Sequence, residues 1–120
     1  MTPGRRLVQA IADKDADALA AALDPEVDFL ALTPRRLWEG HTPDEVVDVV
    51  LGEWFAQDDH IAGVVAVEED HVADTARVGY RFDLELPDGP YVAEQQAYYR
   101  TDGATITYLR VMCSGFRRRE

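Results

Sequence analysis

The segment from Thr75 to Leu86 alternates almost perfectly between apolar and polar side chains. One face carries Ala76, Val78, Tyr80, Phe82, Leu84 and Leu86. The other face carries Arg77, Gly79, Arg81, Asp83 and Glu85. A period of two places one face of a β-strand on a hydrophobic core and the other in water. The chain is therefore constrained to form a half-buried sheet, and its other elements must cover the apolar face.

The first half of the chain is predicted to be mainly helical, and the second half forms strands. The predicted helices span residues 5–12, 16–23 and 43–55, starting from good N-cap residues at Asp15 and Thr42. Strands are predicted at residues 27–32, 38–40, 61–72, 75–86, 91–101 and 104–116. Helices followed by an antiparallel meander are typical of an α+β domain whose sheet wraps around a helix. We expect a single domain over residues 1–120.

The net charge of −11 is concentrated in the middle of the chain. Residues 37–76 contain 11 acidic residues and no lysine or arginine. Such a field repels phosphate backbones and anionic lipid, so we expect no nucleic acid and no membrane as partners. The N-terminal residues lack the continuous apolar run of a signal peptide or membrane span, which favours a cytoplasmic location. Cys113 is the only cysteine, so an intrachain disulfide is excluded.

The last two predicted strands are apolar on both faces. A tight Asp-Gly turn at residues 102–103 predicts that Gln96 pairs with Leu109 and that Glu94 pairs with Val111. The opposite face carries further tyrosines and aliphatic residues, so neither face is uniformly polar. A sheet that is apolar on both faces needs two covers. The helices supply one, and a second copy of the chain is the simplest candidate for the other.

Three stretches of the chain resemble the nuclear transport factor 2-like superfamily, which includes ketosteroid isomerases and SnoaL-like polyketide cyclases. The family's two-helix opening into a first strand is similar to DKDADALAAALDPEVDFLA. Its third helix is similar to WEGHTPDEVVDVVLGEWF, and its final hairpin to VAEQQAYYRTDGATITYLRV. The resemblance implies an α+β cone, in which a curved, mixed but mainly antiparallel sheet wraps around helices. It also implies a pocket for a small hydrophobic ligand and a homodimer through the outer face of the sheet.

The residues that carry the ketosteroid isomerase reaction are not matched. The family's first-strand aspartate, which moves the proton, falls on Ala31, and its pocket tyrosine falls near Val8. The protonated aspartate of the penultimate strand falls on Gln96, which can still donate a hydrogen bond to an oxyanion. Because the base is missing, we do not expect ketosteroid isomerase activity.

The same resemblance points Glu94 and Gln96 into the pocket and makes them the candidate catalytic pair. Desolvation of Glu94 in an apolar cavity would make its carboxyl group useful as an acid or base near neutral pH. This orientation requires an odd-length loop or a bulge between the strands at 75–86 and 91–101. Only then do even-numbered side chains face inward on both strands. In one alternative, Glu94 faces solvent or pairs with an arginine. In another, a register shifted by one residue places Gln95 and Arg110 inside.

The candidate ligand-binding residues are large aromatic side chains and the single cysteine, namely Trp38, Trp54, Tyr80, Phe82, Tyr98 and Cys113. Most such aromatics simply fill a core, and a lone cysteine is usually a small buried hydrophobe. The triplets at residues 58–60 and 69–71 combine acidic residues with a histidine. Neighbouring side chains diverge, however, and no second cluster completes a site. No metal site and no cofactor are predicted.

Three functions are compatible with these features. The first is a SnoaL-like small-molecule-binding domain that acts as an acid–base isomerase or cyclase on a small apolar or aromatic metabolite. The second is a non-enzymatic module that binds an apolar ligand or a partner protein. The third is an oligomerisation unit with a filled, dry interior. A fold of this kind hosts enzymes and binding modules alike, so the site must decide between them.

Overall fold

A computed structural model describes residues 1–119 as an α+β fold. The helices are α1 (Pro3–Ala12), α2 (Ala16–Ala21), α3 (Pro43–Val47) and a π-helix (Asp48–Trp54) that continues α3. The strands are β1 (Leu23–Thr33), β2 (Arg36–Gly40), β3 (His60–Val72), β4 (Thr75–Leu86), β5 (Gly89–Asp102), β6 (Thr105–Cys113) and β7 (Arg117–Arg118). Within residues 1–119, no helix is both long enough and apolar enough to cross a membrane.

The strands form one curved, open sheet in the order β2-β1-β6-β5-β4-β3, with β7 paired to β5. Only β1 and β6 pair in parallel among the described strands, and all other pairs are antiparallel. The predicted α+β class and the mixed, mainly antiparallel sheet are therefore confirmed. Because β1 and β6 run in the same direction, their C-terminal ends lie at the same end of the sheet.

Side-chain caps set the starts of α2 and α3. Asp15 accepts a hydrogen bond from the Ala18 amide at 3.0 Å, and Thr42 accepts one from the Glu45 amide at 3.1 Å. Pro43 follows in the first turn of α3, where its missing N–H is not needed. Both predicted helix starts are confirmed.

The hydrophobic core lies between the inner face of the sheet and the helices. Strand β4 contributes the side chains that its alternation predicts, which are Val78, Tyr80, Phe82 and Leu84. Helix α1 contributes Leu7, Val8, Ala10 and Ile11, and β1 contributes Val27, Phe29 and Ala31. These side chains are all buried, so most of the interior is filled by the protein itself.

The long helix predicted over residues 43–55 becomes π-helical in its second half. The Phe55 amide donates to the Val50 carbonyl at 2.9 Å, which is an i to i+5 hydrogen bond. The buried residues Val46, Val50 and Trp54 are spaced four apart. Residues four apart lie near one side of a helix, so these three side chains face the core.

The change of side-chain parity lies in β6 and not between β4 and β5. Strands β4 and β5 pair without irregularity from a tight turn, beginning with Leu86 opposite Gly89. Since even-numbered residues of β4 face the core, the odd-numbered residues of β5 face it too. Thr107 is an extra residue between Ile106 and Tyr108, and this β-bulge reverses the parity within β6. The bulge keeps three predicted side chains of β6 inside, namely Leu109, Val111 and Cys113.

Gln95 is consequently the polar residue of β5 that faces the core. It lies opposite Tyr80 of β4 and Cys113 of β6. The inward orientation predicted for three other β5 residues is wrong, because the outer face receives Glu94, Gln96 and Tyr98. The shifted-register alternative is correct for Gln95, but Arg110 lies on the outer face.

Candidate functional site

Two polar side chains meet inside the sheet on neighbouring strands. The Tyr80 hydroxyl donates to Gln95 Oε1 at 2.6 Å. Tyr80 is 3% exposed and Gln95 is fully buried. Burial raises the pKa of Tyr80 above its ordinary value, so the hydroxyl stays protonated at neutral pH. The hydrogen bond fixes the Gln95 amide and leaves its NH₂ group available.

Two buried donors have no hydrogen-bond partner within residues 1–119. They are Gln95 Nε2 and Trp54 Nε1. An unpaired buried donor destabilises a fold by about 1–3 kcal/mol, and native interiors contain few of them. These two donors therefore have hydrogen-bonding capacity that no described residue uses.

A cavity of about 540 Å³ opens where β1 and β6 end, and we call it the mouth cavity. Its walls come from residues 33–35 of the β1–β2 turn, from Glu53 and Trp54 of the π-helix, and from residues 113–117. The volume lies in the range of small-molecule pockets, about 300–1,000 Å³. Three separate segments of the chain therefore converge on one concave surface.

Trp54 is held in the cavity wall by aromatic neighbours. The ring centroid of Phe29 lies 6.2 Å from that of Trp54, and Trp38 packs edge-on at 6.3 Å. Trp38 Nε1 donates to Thr33 Oγ1 at 2.9 Å, and the Arg36 guanidinium lies 3.7 Å over the Trp38 ring. Trp38 thus contacts both Trp54 and Thr33, two residues of the wall of the mouth cavity.

A row of aromatic rings connects the mouth cavity to the buried polar pair. Phe116 lines the cavity and stacks on Phe55 at 5.8 Å. Phe55 packs edge-on against Phe82 at 5.5 Å, and Phe82 lies 5.2 Å from Tyr80. Tyr80 and Phe82 therefore belong to the aromatic packing that extends from Phe116 into the core, and they do not line the cavity.

Cys113 lies at the end of β6, opposite Gln95, and lines the mouth cavity. Its Sγ accepts a hydrogen bond from the Gly115 amide at 3.4 Å. Gly115 has a φ of +74°, and a Cβ at this position would lie 2.8 Å from Pro34 Cγ. Glycine is required for both reasons, since it adopts positive φ freely and permits close approach. This contact packs the β1–β2 turn against the C-terminal segment.

The predicted catalytic pair lies on the outer face of the sheet. The Glu94 side chain is 52% exposed, and its carboxylate is 3.7 Å from Arg81. Gln96 accepts a hydrogen bond from Arg77. This matches the alternative in which Glu94 faces solvent and pairs with an arginine. A solvated carboxylate is not desolvated by the core, so the physical basis for a buried acid at Glu94 is absent.

The structure brings together some of the predicted ligand-binding residues. Trp54 and Cys113 meet at the mouth cavity, and Tyr98 lies on the outer face. Three other predicted ligand-binding residues do not line the mouth cavity, namely Trp38, Tyr80 and Phe82. Sequence reasoning missed Phe116 as a cavity residue, and it reached Gln95 only through the shifted register. The usable signal for Gln95 was the tight turn before β5, which leaves no residue for a parity change.

A second, shallow apolar depression lies on the outer face of the sheet, and we call it the outer groove. Its volume is about 290 Å³. Its exposed apolar side chains are Leu32, Leu37, Tyr98 and Met112, each between 36% and 58% exposed. Arg110 lines one edge and pairs with Asp28 at 3.3 Å. The outer groove and the mouth cavity are separate candidate binding surfaces.

No protein-family model and no curated protein matches this chain. A protein from Catenulispora acidiphila with a ketosteroid isomerase-like fold, in complex with trimethylamine, is 12% identical with a TM-score of 0.74, over 95% of this chain and 88% of its own. A nuclear transport factor 2-like protein from Burkholderia thailandensis is 17% identical with a TM-score of 0.64, over 95% of this chain and 92% of its own. An LEH-like epoxide hydrolase from M. tuberculosis is 11% identical with a TM-score of 0.68, over 93% of this chain and 80% of its own. The chain therefore has the nuclear transport factor 2-like fold.

Replacing Gln95 with methionine tests whether the buried polar pair contributes to stability. Gln95→Met leaves the Tyr80 hydroxyl without its acceptor and should lower the free energy of unfolding by about 1–3 kcal/mol. Adding Tyr80→Phe removes the stranded hydroxyl, so the double variant should regain most of that loss. Urea unfolding followed by circular dichroism measures both differences. A double variant less stable than Gln95→Met would show that the pair is retained for stability and not for binding.

Proposed function

We propose that this protein binds a small, mainly apolar or aromatic molecule in the mouth cavity. Of the two buried donors that lack a partner within residues 1–119, Trp54 Nε1 belongs to the wall of this cavity of about 540 Å³, and Gln95 Nε2 belongs to the residue opposite Cys113 of the same wall. This coincidence carries the proposal, because ligand pockets combine apolar walls with a few polar groups that fix orientation. The Catenulispora acidiphila protein, in complex with trimethylamine, shows that a protein of this fold binds a small molecule.

The polar group of the ligand is a hydrogen-bond acceptor, such as a carbonyl or hydroxyl oxygen. Trp54 Nε1 is a donor only, and so is the NH₂ group of Gln95. Gln95 Oε1 is already occupied by the Tyr80 hydroxyl. An acceptor that reaches Trp54 Nε1, the donor in the cavity wall, recovers free energy lost when that donor was buried. Tyr80 is therefore a positioning residue for Gln95.

Binding is better supported than catalysis. The isomerase or cyclase reaction predicted for Glu94 needs a carboxyl group inside the cavity, and Glu94 lies outside the sheet. Tyr80 lies inside, but its raised pKa keeps it protonated, so it is not a general base at neutral pH. Glu53 lines the mouth cavity at an exposed position. A non-enzymatic binding module is the function that this arrangement favours.

The neutral fluorescent probe N-phenyl-1-naphthylamine should bind in the mouth cavity, and its fluorescence should rise on binding. Glu53→Trp places a bulky side chain at the exposed rim and should weaken binding about tenfold, equivalent to roughly 1.4 kcal/mol. Asp48→Trp is the matched control, because Asp48 is exposed on the same π-helix and does not line the mouth cavity. Fluorescence titration of the three proteins measures the effect.

Met112→Ser, in the outer groove, is a second control for this titration and should leave probe binding unchanged. The proposal is contradicted if wild-type protein does not bind the probe. It is also contradicted if Met112→Ser abolishes binding while Glu53→Trp does not, since the probe would then occupy the outer groove.

We also propose that two copies of the chain pair through the outer groove. Its exposed apolar side chains are contiguous on one sheet face, and Arg110 with Asp28 lies at their edge. An exposed apolar patch bordered by polar groups is typical of a protein–protein interface. Removing these side chains from water is the driving force for association.

Met112→Glu should convert such a dimer to a monomer, because it buries an unpaired carboxylate in the interface. Val65→Glu is the control, since Val65 is 55% exposed on β3 and does not line the outer groove. Size-exclusion chromatography with light scattering measures both masses. Wild-type protein that is monomeric at micromolar concentration, or a Met112→Glu variant that remains dimeric, would rule out this interface.

A further inference from the structure

We infer that the ligand of the mouth cavity is a small aromatic carboxylate whose anionic group is bound by Arg35 and Arg117. Both side chains line the mouth cavity. Neither forms an ion pair with a carboxylate of residues 1–119. The inference rests on the proposed function, because it specifies the chemistry of the ligand in the same cavity.

Arg117 differs from the two arginines that follow it. Arg118 and Arg119 form ion pairs with carboxylates at 2.9 to 3.1 Å. Arg117 and Arg118 lie opposite Val92 and Tyr91 of β5, so their two side chains project from opposite faces of the sheet. Arg117 Nε donates to the Ser114 carbonyl at 3.2 Å, which orients the guanidinium. Its other N–H groups remain available for a ligand.

Arg35 occupies a backbone conformation that favours glycine. Its φ is +79°, in the turn between β1 and β2. Non-glycine residues adopt this region rarely, and such strain tends to collect at binding sites. The neighbouring Arg36 stacks on the Trp38 ring, whereas Arg35 stacks on no aromatic ring within residues 1–119. Lys14 and Ala73 also adopt positive φ in turns, and Arg35 differs from them because it lies in the wall of the mouth cavity.

The two arginines belong to segments that are packed against each other. A Cβ on Gly115 would lie 2.8 Å from Pro34 Cγ, and Arg35 and Arg117 are close in sequence to these two residues. The exposed Glu53 is the acidic residue of the same cavity, so two arginines and one glutamate give its rim one net positive charge. In a protein of net charge −11, this rim is a local site of opposite sign. Such a local field attracts an anion.

A carboxylate attached to an aromatic ring fits both the arginines at the rim of the cavity and its apolar wall. Guanidinium groups bind carboxylates through parallel N–H···O hydrogen bonds. Trp54, Phe116 and Cys113 provide an apolar wall for the ring beside the arginines. Because Arg35 and Arg117 are exposed, the carboxylate keeps part of its hydration and avoids the full desolvation penalty.

Two probes of the same shape separate the contribution of the charge from that of the ring. They are trans-cinnamate and its neutral counterpart trans-cinnamamide. In calorimetric titrations at low salt, wild-type protein should bind cinnamate about tenfold more tightly than cinnamamide. Arg35→Gln and Arg117→Gln should each reduce this preference to about twofold and leave cinnamamide binding unchanged. Arg6→Gln is the control, since it removes the same charge from a different groove and should keep the preference.

Arg35→Gly separates loss of binding from loss of folding. This variant removes the strained arginine, so the midpoint of thermal unfolding should rise while the cinnamate preference falls. Equal affinity of wild-type protein for both probes would overturn the inference and leave the proposed function intact. A preference that survives in both glutamine variants would also overturn it. If the protein binds neither cinnamate probe, the inference is wrong, and if N-phenyl-1-naphthylamine also fails to bind, so is the proposed function.

Discussion

The uninterrupted pairing of β4 with β5 is the constraint on which the interior of this protein depends. The apolar residues of β4 must face the core, and the tight turn after Leu86 transmits this orientation to every residue of β5. Gln95 is thereby buried beside Tyr80, and Glu94 is exposed to solvent. The bulge at Thr107 then adjusts β6, so that its apolar residues remain inside. The polar chemistry of the interior follows from this register.

Most of the interior is filled, and the cavity is assembled at its end. Phe29, Phe55 and Phe82 are fully buried and pack among the core residues. This part of the molecule agrees with a filled interior, one of the three sequence hypotheses. The mouth cavity is formed instead by a turn, a π-helix and the C-terminal segment. Arg35, Gly115 and the π-helix contribute unusual backbone conformations to this cavity, whereas the positive φ values of Lys14 and Ala73 occur in turns elsewhere.

Local patterns in the sequence predicted strand orientation and helix starts where these depend on neighbouring residues. The alternation of β4 and the caps at Asp15 and Thr42 depend on near neighbours, so they can be identified without a tertiary structure. Trp54 was identified as a large aromatic side chain, and Cys113 as a residue of the final strand that the resemblance points inward. Thr107 carries no local signature of a bulge, because the bulge reconciles β6 with a register set elsewhere in the sheet.

The presence of two arginines at the rim of the mouth cavity could not be predicted for a similar reason. Arg35 and Arg117 reach one cavity only because Pro34 packs against Gly115, a contact between distant parts of the chain. The consecutive arginines at the C-terminus look like a solvated charged tail in the sequence. Only the tertiary structure shows that Arg117 lines the mouth cavity, whereas Arg118 and Arg119 reach carboxylates that are distant in the sequence.

The register of β5 against β6 is the most direct test of this account. Interstrand nuclear Overhauser effects in the labelled protein report which residues lie opposite each other. The account predicts cross-peaks between Gln95 and Cys113 and between Ala97 and Val111. Cross-peaks between Glu94 and Val111 and between Gln96 and Leu109 would contradict it, because Glu94 would then lie inside the sheet and Gln95 outside.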